Sequence, residues 1–357
     1  FPMLREKKLL FSFFLILTFI SILKLYDNAS NLDAWEYGEW LINYENGFIR
    51  RGLFGELILE FSKISNLNIQ NSFLLIISAI LILYFYKSFL LIKNLQFNVI
   101  NIFLIFSPIF FFFFFLVNGV GIRKEIILYL YYLFFLLELN KKNSNKILIN
   151  SYLLLLPFLF LIHESFFFFL PYFFLPIILV KKNFKEKINM VIITLALSLA
   201  VMVLLYTFKG SYEHTLIICE SLGDYAPVKC KDWGPTYALQ HDLLKDQTNK
   251  DMLFFYLEAS IKSWIGYLSY IAYSFVPVIL FILLGNFKKK NRFKFFFLAP
   301  FFWSLPLFHV AEDWSRWFSI HYHMISFLLI FLNINKIYTF SFSNKIKKIN
   351  DYFINKK

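Results

Sequence analysis

The chain has 357 residues, of which 59% are hydrophobic, and its mean hydropathy is +0.61. A soluble domain averages about 45–50% apolar residues, so this composition excludes an ordinary water-soluble protein. A net charge of +13 would suggest nucleic acid as a partner of a soluble protein, but here the basic residues alternate with long apolar runs, and no nucleic-acid partner is predicted. The sequence predicts an all-α, polytopic membrane protein that forms a single integral membrane domain over residues 1–357.

Apolar runs between charged segments predict about ten membrane spans, because a helix needs about 20 apolar residues to cross the hydrocarbon core. In chain order the spans lie near residues 9–25, 72–92, 98–117, 122–139, 147–163, 165–180, 188–207, 264–286, 295–310 and 319–335. The first follows a basic stretch and has no small-residue cleavage site after it. It is therefore predicted to be a retained signal-anchor helix.

The distribution of basic residues predicts the orientation. With the N-terminus in the cytoplasm, the inner segments carry most of the 36 Lys and Arg residues and few of the 23 Asp and Glu residues. Those segments are 1–8, 87–97, 139–146, 181–187, 287–294 and 336–357. Because positive charge marks the cytoplasmic side, both termini are predicted to be cytoplasmic.

Two long loops, about 26–71 and 208–263, are predicted to lie on the outer face. The second contains Cys219 and Cys230. A disulfide is expected in an oxidising compartment, but spacing alone leaves a pair of free thiols open as the alternative.

Three short outer turns bring charged residues to the ends of short helices. They contain Arg123, Lys124 and Glu125; His163 and Glu164; and Glu312, Asp313 and Arg316, with His321 and His323 beginning the last helix. Since the flanking helices span only roughly 25 Å, the turns are expected at one level, at or slightly below the outer interface. Charges there must be paired or face a wet cavity. The turns then either form a shared site or pair with lipid headgroups and with each other.

The first outer loop adds further polar groups. It contains Asp33, Glu36 and Glu39, and the pair Arg50–Arg51 stands between two glycines. Guanidinium groups bind phosphate oxygens bidentately, so this pair is a candidate phosphate site. Tryptophans are concentrated on the predicted outer side, where indole rings either mark the interface or stack on sugars. They are Trp35, Trp40, Trp233, Trp264, Trp314 and Trp317.

Several chemistries are disfavoured by the motifs. The His163–Glu164 pair lacks the second histidine of a zinc-protease motif, and there is no nucleophile elbow and no glycine-rich phosphate loop. No metal and no cofactor is predicted, although the His163–Glu164 pair could hold a divalent ion. Transport is disfavoured because charged residues at the membrane midplane are missing from the predicted spans.

The layout of many helices, an acidic first outer loop and a polar outer face resembles the GT-C class of membrane glycosyltransferases and bacterial surface-polysaccharide polymerases. The strings at 47–52 (GFIRRG), 163–164 (HE) and 313–317 (DWSRW) resemble those of membrane proteins from polysaccharide clusters. Such enzymes often carry a C-terminal soluble domain or more helices, and neither is predicted here.

The resemblance implies transfer of a sugar from a polyprenyl-phosphate-linked donor to a glycan or lipid-linked acceptor, beside the membrane lipids. It also implies a location in the cytoplasmic (inner) membrane, with the active face periplasmic. It implies that Asp33, or else Glu36, is the general base, and that cationic side chains stabilise the leaving phosphate. The implied substrate-binding residues are Arg50, Arg51, Arg123, Lys124, His163, Glu164, Asp313 and Arg316. Two alternatives stay open: a membrane acyltransferase that uses His163, and a flippase or assembly protein for lipid-linked glycans.

Overall fold

The structure is a computed structural model that describes residues 2–95, 98–112, 122–141, 143–180, 184–240, 275–287, 291–310 and 314–340. It is mostly helical, with 75% helix and 2% strand. The α-helices are α1 Pro2–Ser30, α2 Leu53–Ser65, α3 Ile69–Ile92, α4 Val99–Ile105, α5 Glu125–Leu139, α6 Lys146–Leu155, α7 Pro171–Val180, α8 Phe184–Thr207, α9 Tyr212–Ser221, α10 Phe275–Leu284, α11 Ala299–Val310 and α12 Trp314–Ile334.

Short 3-10 helices connect several of these elements. They are Gly38–Leu41, Leu156–Leu161, Glu164–Phe169, Gly223–Tyr225, Tyr237–Gln240 and Asn291–Leu298. Two three-residue strands, β1 Gly285–Phe287 and β2 Tyr338–Phe340, pair antiparallel with Asn286 opposite Thr339. The sequence did not predict this pair, because three residues carry no readable periodicity.

Four helices in the described part of the chain are long and apolar enough to cross a membrane. They are Glu6–Ser30 within α1, α3, Ile188–Thr207 within α8, and α12. Large apolar side chains on α1 and α8 face away from the protein, with Phe19 63% and Val203 67% exposed. Such wide apolar faces are not stable in water, which supports association with a membrane.

The remaining predicted spans are shorter or interrupted in the structure. The segments 147–163 and 165–180 are each divided between an α-helix and a 3-10 helix. The first division falls at Pro157, which has no N–H to donate to the preceding turn. Parts of the predicted spans 98–117 and 264–286 lie outside the described residues.

Asparagine side chains begin three of the helices. Asn68 accepts a hydrogen bond from the Asn71 N–H at the start of α3, and Asn145 accepts one from Ile147 at the start of α6. Asn98 caps α4 in the same way. These caps satisfy N–H groups that have no partner within the helix, so local sequence sets where these helices begin.

Helix α12 lies at the centre of the bundle, since 83% of its most apolar 18-residue stretch is buried within the protein, against 17% for α8. It packs against α5 and α7, while α1 packs on α3 and α3 on α5. Aromatic side chains fill the space between these helices; for example, the His323 and Tyr129 rings stack with centroids 4.3 Å apart.

Segments from distant parts of the chain meet at both ends of the bundle. At one end β1 pairs with β2, and the Asn335 side-chain amide donates to Asn140 Oδ1 at 2.9 Å. At the other end the two long loops pack together, with Val228 N donating to Leu32 O at 2.8 Å. In the second loop, Cys219 and Cys230 form a disulfide, which decides the alternative that their spacing left open.

Candidate functional site

Four segments bring charged side chains together at one end of the bundle. They are the first long loop, the turn before α5, the turn between Leu156–Leu161 and Glu164–Phe169, and the first turn of α12. The resulting charged cluster consists of Glu39, Arg50, Arg51, Arg123, Lys124, Glu125, His163, Glu164 and Arg316. Arg51 and Glu164 are partly exposed and the other members are buried. The predicted convergence of the turns is therefore present in the structure.

Glu39 lies at the centre of the charged cluster and is completely buried. Its Oε2 accepts a hydrogen bond from Arg123 Nε at 2.6 Å, and its Oε1 accepts one from Arg316 Nη2 at 2.9 Å. His163 Nε2 lies 3.2 Å from the same Oε1. One carboxylate thus holds Arg123 and Arg316 from two separate segments and lies next to His163 from a third.

The position of Glu39 is set by close packing of its 3-10 helix against α2. A Cβ atom on Gly55 would lie 2.0 Å from the Ile42 carbonyl oxygen, so only glycine permits this approach. The neighbouring Trp40 is fully buried and donates from Nε1 to the Ile122 carbonyl at 3.0 Å. These contacts fix the 3-10 helix beside the turn that carries Arg123.

Glu125 extends the charged cluster into the bundle. It is the first residue of α5, where a carboxylate interacts favourably with the helix dipole, and it pairs with Arg316 Nε. Arg316 is therefore held between Glu125 and Glu39. The helix α5 begins at Glu125, so Arg123 and Lys124 precede the helix rather than forming its first turn.

The two adjacent arginines of the first long loop use Glu164 as their common acceptor. Arg51 Nε lies 3.0 and 2.9 Å from the two carboxylate oxygens, and Arg50 Nη1 lies 3.8 Å from Oε1. Arg51 has a φ of +66°, a left-handed conformation that is unfavourable for a residue with a side chain. This conformation directs the Arg51 carbonyl toward Lys124.

Lys124 donates to a backbone carbonyl, whereas the arginines of the charged cluster pair with carboxylates. Its side chain is fully buried, and its Nζ donates one hydrogen bond, to the Arg51 carbonyl at 2.8 Å. Among the described residues, no Asp or Glu oxygen lies within 4.0 Å of this ammonium group. An ammonium group has three N–H donors, and a buried charge is costly unless it is paired.

His163 is held in one tautomer by its neighbours. The Ser165 N–H donates to Nδ1 at 3.2 Å, and the Ser165 hydroxyl lies 2.8 Å from the same atom. Since Nδ1 accepts, the proton of the neutral ring is on Nε2, which faces Glu39. Burial lowers the pKa of His163, so the ring is neutral at pH 7.

Opposing effects set the protonation of Glu39 and Lys124. Burial alone would raise the pKa of Glu39, but Arg123 and Arg316 outweigh it and hold the pKa well below 4.5. Burial lowers the pKa of Lys124 to about 7, and Glu39 only partly opposes this shift. Glu39 is therefore ionised near neutral pH, whereas Lys124 changes charge there.

The lowered pKa of Lys124 is expected to make the free energy of unfolding depend on pH. Its pKa is about 7 in the fold and 10.5 ordinarily, so between these values the unfolded chain binds more protons and the free energy of unfolding rises with pH. The rise is at most about 1.4 kcal/mol per pH unit. Equilibrium unfolding in mixed micelles at pH 6 and pH 9 should show this rise in the wild type, and it should be smaller in Lys124→Met. Equal pH dependence in both proteins would refute the assignment.

The two candidate bases lie beside the charged cluster rather than inside it. Asp33 Oδ1 accepts hydrogen bonds from the backbone N–H groups of Trp35, at 2.8 Å, and Glu36, at 2.5 Å. Glu36 is buried, is bonded to the Asn28 amide and lies 3.8 Å from Lys24 Nζ. Burial raises the pKa of Glu36, which strengthens it as a proton acceptor.

Comparison with known proteins adds no further identification. No protein family, curated protein or solved structure matches this chain. Conclusions about activity therefore depend on the charged cluster itself.

The remaining predicted site residues divide into two groups. Asp313 and its neighbour Glu312 lie outside the described residues. His321 lies deeper in the bundle, between the Tyr172 hydroxyl at 2.9 Å and the Ser304 hydroxyl at 2.7 Å, and is not part of the charged cluster. No group of three or more His, Cys, Asp or Glu in the described part of the chain is arranged to hold a metal ion.

Sequence reasoning did not single out Glu39. It named the residue as one of three acids in the first outer loop, but all three stand among aromatic residues at similar spacing, and nothing local separates them. The neighbouring Gly38 is a possible signal, because a Cβ atom there would lie 2.9 Å from Pro227. The sequence does not show this close contact, since Pro227 is 189 positions away along the chain.

Proposed function

We propose that the chain is a membrane glycosyltransferase of the GT-C type. It transfers a sugar from a polyprenyl-phosphate-linked donor to a glycan or lipid-linked acceptor at the outer, periplasmic face of the cytoplasmic membrane. The observation that carries the proposal is Lys124, a buried ammonium group that donates one hydrogen bond to a carbonyl and lies among arginines. An anion that accepts its remaining N–H groups would complete this site.

A phosphate group suits this arrangement in charge and in shape. Arginine forks bind phosphate oxygens bidentately. Lys124 directly follows Arg123 in the chain and donates to the carbonyl of Arg51. The carboxylates of Glu39 and Glu164 hold the arginines in place. Preformed cations lower the barrier most when negative charge develops on the leaving group, as it does on a departing phosphate.

A lipid-linked donor follows from the proposed topology. In the ten-span arrangement with both termini cytoplasmic, the charged cluster stands at the outer ends of the helices, near the level of lipid phosphates. The tail of a polyprenyl phosphate would remain in the bilayer, and its phosphate would reach the charged cluster from the side. The packing of the two long loops against each other at this end supports the arrangement.

The proposed reaction uses Asp33 as general base, with Glu36 as the second candidate. Asp33 binds two backbone N–H groups through Oδ1, which leaves Oδ2 to accept the proton of an acceptor hydroxyl. The acceptor oxygen then bonds to the anomeric carbon. The bond from that carbon to the phosphate oxygen breaks, its electron pair stays on the polyprenyl phosphate, and the cations stabilise that charge.

The charged cluster supports the alternatives less well. An acyltransferase would need a ring nitrogen of His163 as a base, but Nδ1 already accepts from Ser165 and the proton on Nε2 faces Glu39. A flippase or assembly protein would need no general base. The role of Asp33 therefore separates transfer from both alternatives.

Asp33→Asn is expected to reduce sugar transfer by a factor of about 10²–10⁴ without loss of fold. Asparagine Oδ1 can accept the same two backbone N–H groups, so the turn at residues 33–36 stays intact. The measurement is conversion of undecaprenyl-phosphate-linked sugars to undecaprenyl phosphate by the purified protein in phospholipid nanodiscs.

Asp224→Asn is the matched control, since Asp224 is an exposed acid in the second long loop. It should retain wild-type turnover. Activity of Asp33→Asn equal to that of the control would exclude Asp33 as the base, and an inactive wild type that also fails to bind undecaprenyl phosphate would remove the proposal.

A further inference from the structure

Two indole rings from different loops meet beside the charged cluster. Trp35, in the first long loop, and Trp233, in the second, make an edge-to-face contact with ring centroids 5.6 Å apart. Trp233 is nevertheless 55% exposed, so much of its side chain is accessible to a ligand. The two ring planes stand at 87° to each other and form an aromatic corner.

Backbone contacts hold the second loop in this position. The Val228 N–H donates to the Leu32 carbonyl at 2.8 Å, immediately before Asp33. Gly234, with a φ of +94°, lies so close to Ala34 that a Cβ atom would be 3.0 Å from the Ala34 carbonyl oxygen. The two loops therefore meet on both sides of Asp33.

The corner is continuous with the charged cluster. The Arg123 guanidinium lies over the Trp35 ring, 5.6 Å from its centroid, while the same side chain donates to Glu39. The Asp33 carboxylate accepts from the backbone N–H of Trp35. The Trp35 ring therefore contacts the charged cluster through Arg123, and its backbone N–H is bonded to the Asp33 carboxylate.

We infer that Trp35, Trp233 and Asp33 form a binding site for a pyranose ring of the acceptor glycan. This inference rests on the proposed function and adds to it the place and the chemistry of acceptor binding. The C–H face of the sugar would stack on the exposed indole ring of Trp233. A hydroxyl on the ring edge would then face Asp33 Oδ2, and the anomeric carbon of the donor would stand on the side of Arg123.

The surroundings favour a sugar over lipid as the occupant. Trp233 follows the exposed residue Asp232, and Lys231 beside it pairs with Glu220, so this face of the loop is polar. An indole ring beside hydrogen-bonding carboxylates suits a sugar, which has both apolar C–H faces and hydroxyl edges. A lipid-facing belt residue would instead have apolar neighbours, as Phe19 and Val203 have on their helices.

The test compares two ligands on the same nanodisc preparations of the full chain. Undecaprenyl phosphate reports the phosphate site, and an array of hexose and N-acetylhexosamine oligosaccharides reports the acceptor site. Trp233→Ala should lower the affinity for the array glycans that the wild type binds by about tenfold, because one stacked aromatic contact is lost. Trp233→Phe should restore part of that affinity, and undecaprenyl phosphate should bind all variants equally.

Tyr212→Ala is the matched control, since Tyr212 is also an aromatic residue of the second loop and is also 55% exposed. It should bind glycans as the wild type does. If the wild type binds undecaprenyl phosphate but no glycan, or if Trp233→Ala binds glycans normally, the acceptor site is refuted and the phosphate site stands. Stronger quenching of tryptophan fluorescence by brominated phospholipid in the wild type than in Trp233→Ala, with no change when glycans are added, would mean that Trp233 contacts lipid. That result would also refute the acceptor site. If the wild type does not bind undecaprenyl phosphate, the proposed function itself is refuted.

Discussion

Glu39→Gln is expected to lower the free energy of unfolding by about 3–5 kcal/mol, because removing one partner of a buried ion pair leaves the other charge uncompensated. Glu39 is completely buried and bonds to both Arg123 and Arg316. Glutamine has nearly the same shape, so the loss would come from charge rather than from packing. The measurement is equilibrium unfolding of the purified protein in mixed micelles.

Glu45→Gln is the control for this experiment. Glu45 is an exposed acid of the same loop and pairs with the exposed Lys63 at 3.4 Å. Exposed pairs contribute about 0–1 kcal/mol, so this variant should unfold close to the wild type. A second test adds Arg123→Met to Glu39→Gln, which removes one stranded charge and should recover part of the lost stability. If Glu39→Gln is as stable as Glu45→Gln, Glu39 does not hold the charged cluster together.

Lys124→Met is expected to weaken binding of undecaprenyl phosphate by about 10–100-fold, since a hydrogen bond to a charged group contributes about 1.5–3 kcal/mol. Stability should not fall in parallel. Methionine has a similar volume and carries no charge, and within the described part of the chain Lys124 donates its hydrogen bond to the Arg51 carbonyl. Replacing a buried charge with an apolar side chain of similar size is often neutral or stabilising.

The phosphate affinity should also depend on pH in the wild type. Because the pKa of Lys124 is about 7, its positive charge is lost as the pH rises, and binding of undecaprenyl phosphate should weaken from pH 6 to pH 8. Uncharged undecaprenol controls for binding of the lipid tail. Lys63→Met, which removes an exposed lysine of α2, should leave affinity unchanged. A Lys124→Met protein that is less stable but binds phosphate normally would mean that Lys124 has a structural role only.

The apolar composition and the charge pattern predicted a helical membrane protein because both signals are local. Each apolar run reports on its own stretch of about 20 residues, and each cap, such as Asn68 or Asn145, acts on N–H groups two or three positions away. The same local reasoning placed Arg123, His163 and Arg316 in turns at one end of the bundle. The structure brings these three turns together around Glu39.

Long-range packing decided which charges pair. Glu39 bonds to Arg123 and Arg316, which are 84 and 277 positions away along the chain. No local pattern distinguishes Glu39 from Asp33 or Glu36, because the free energy of a buried charge depends on partners supplied by other segments. The partner of Lys124 was equally hidden, since the sequence shows Glu125 beside it but not that Glu125 pairs with Arg316 while Lys124 donates to the Arg51 carbonyl.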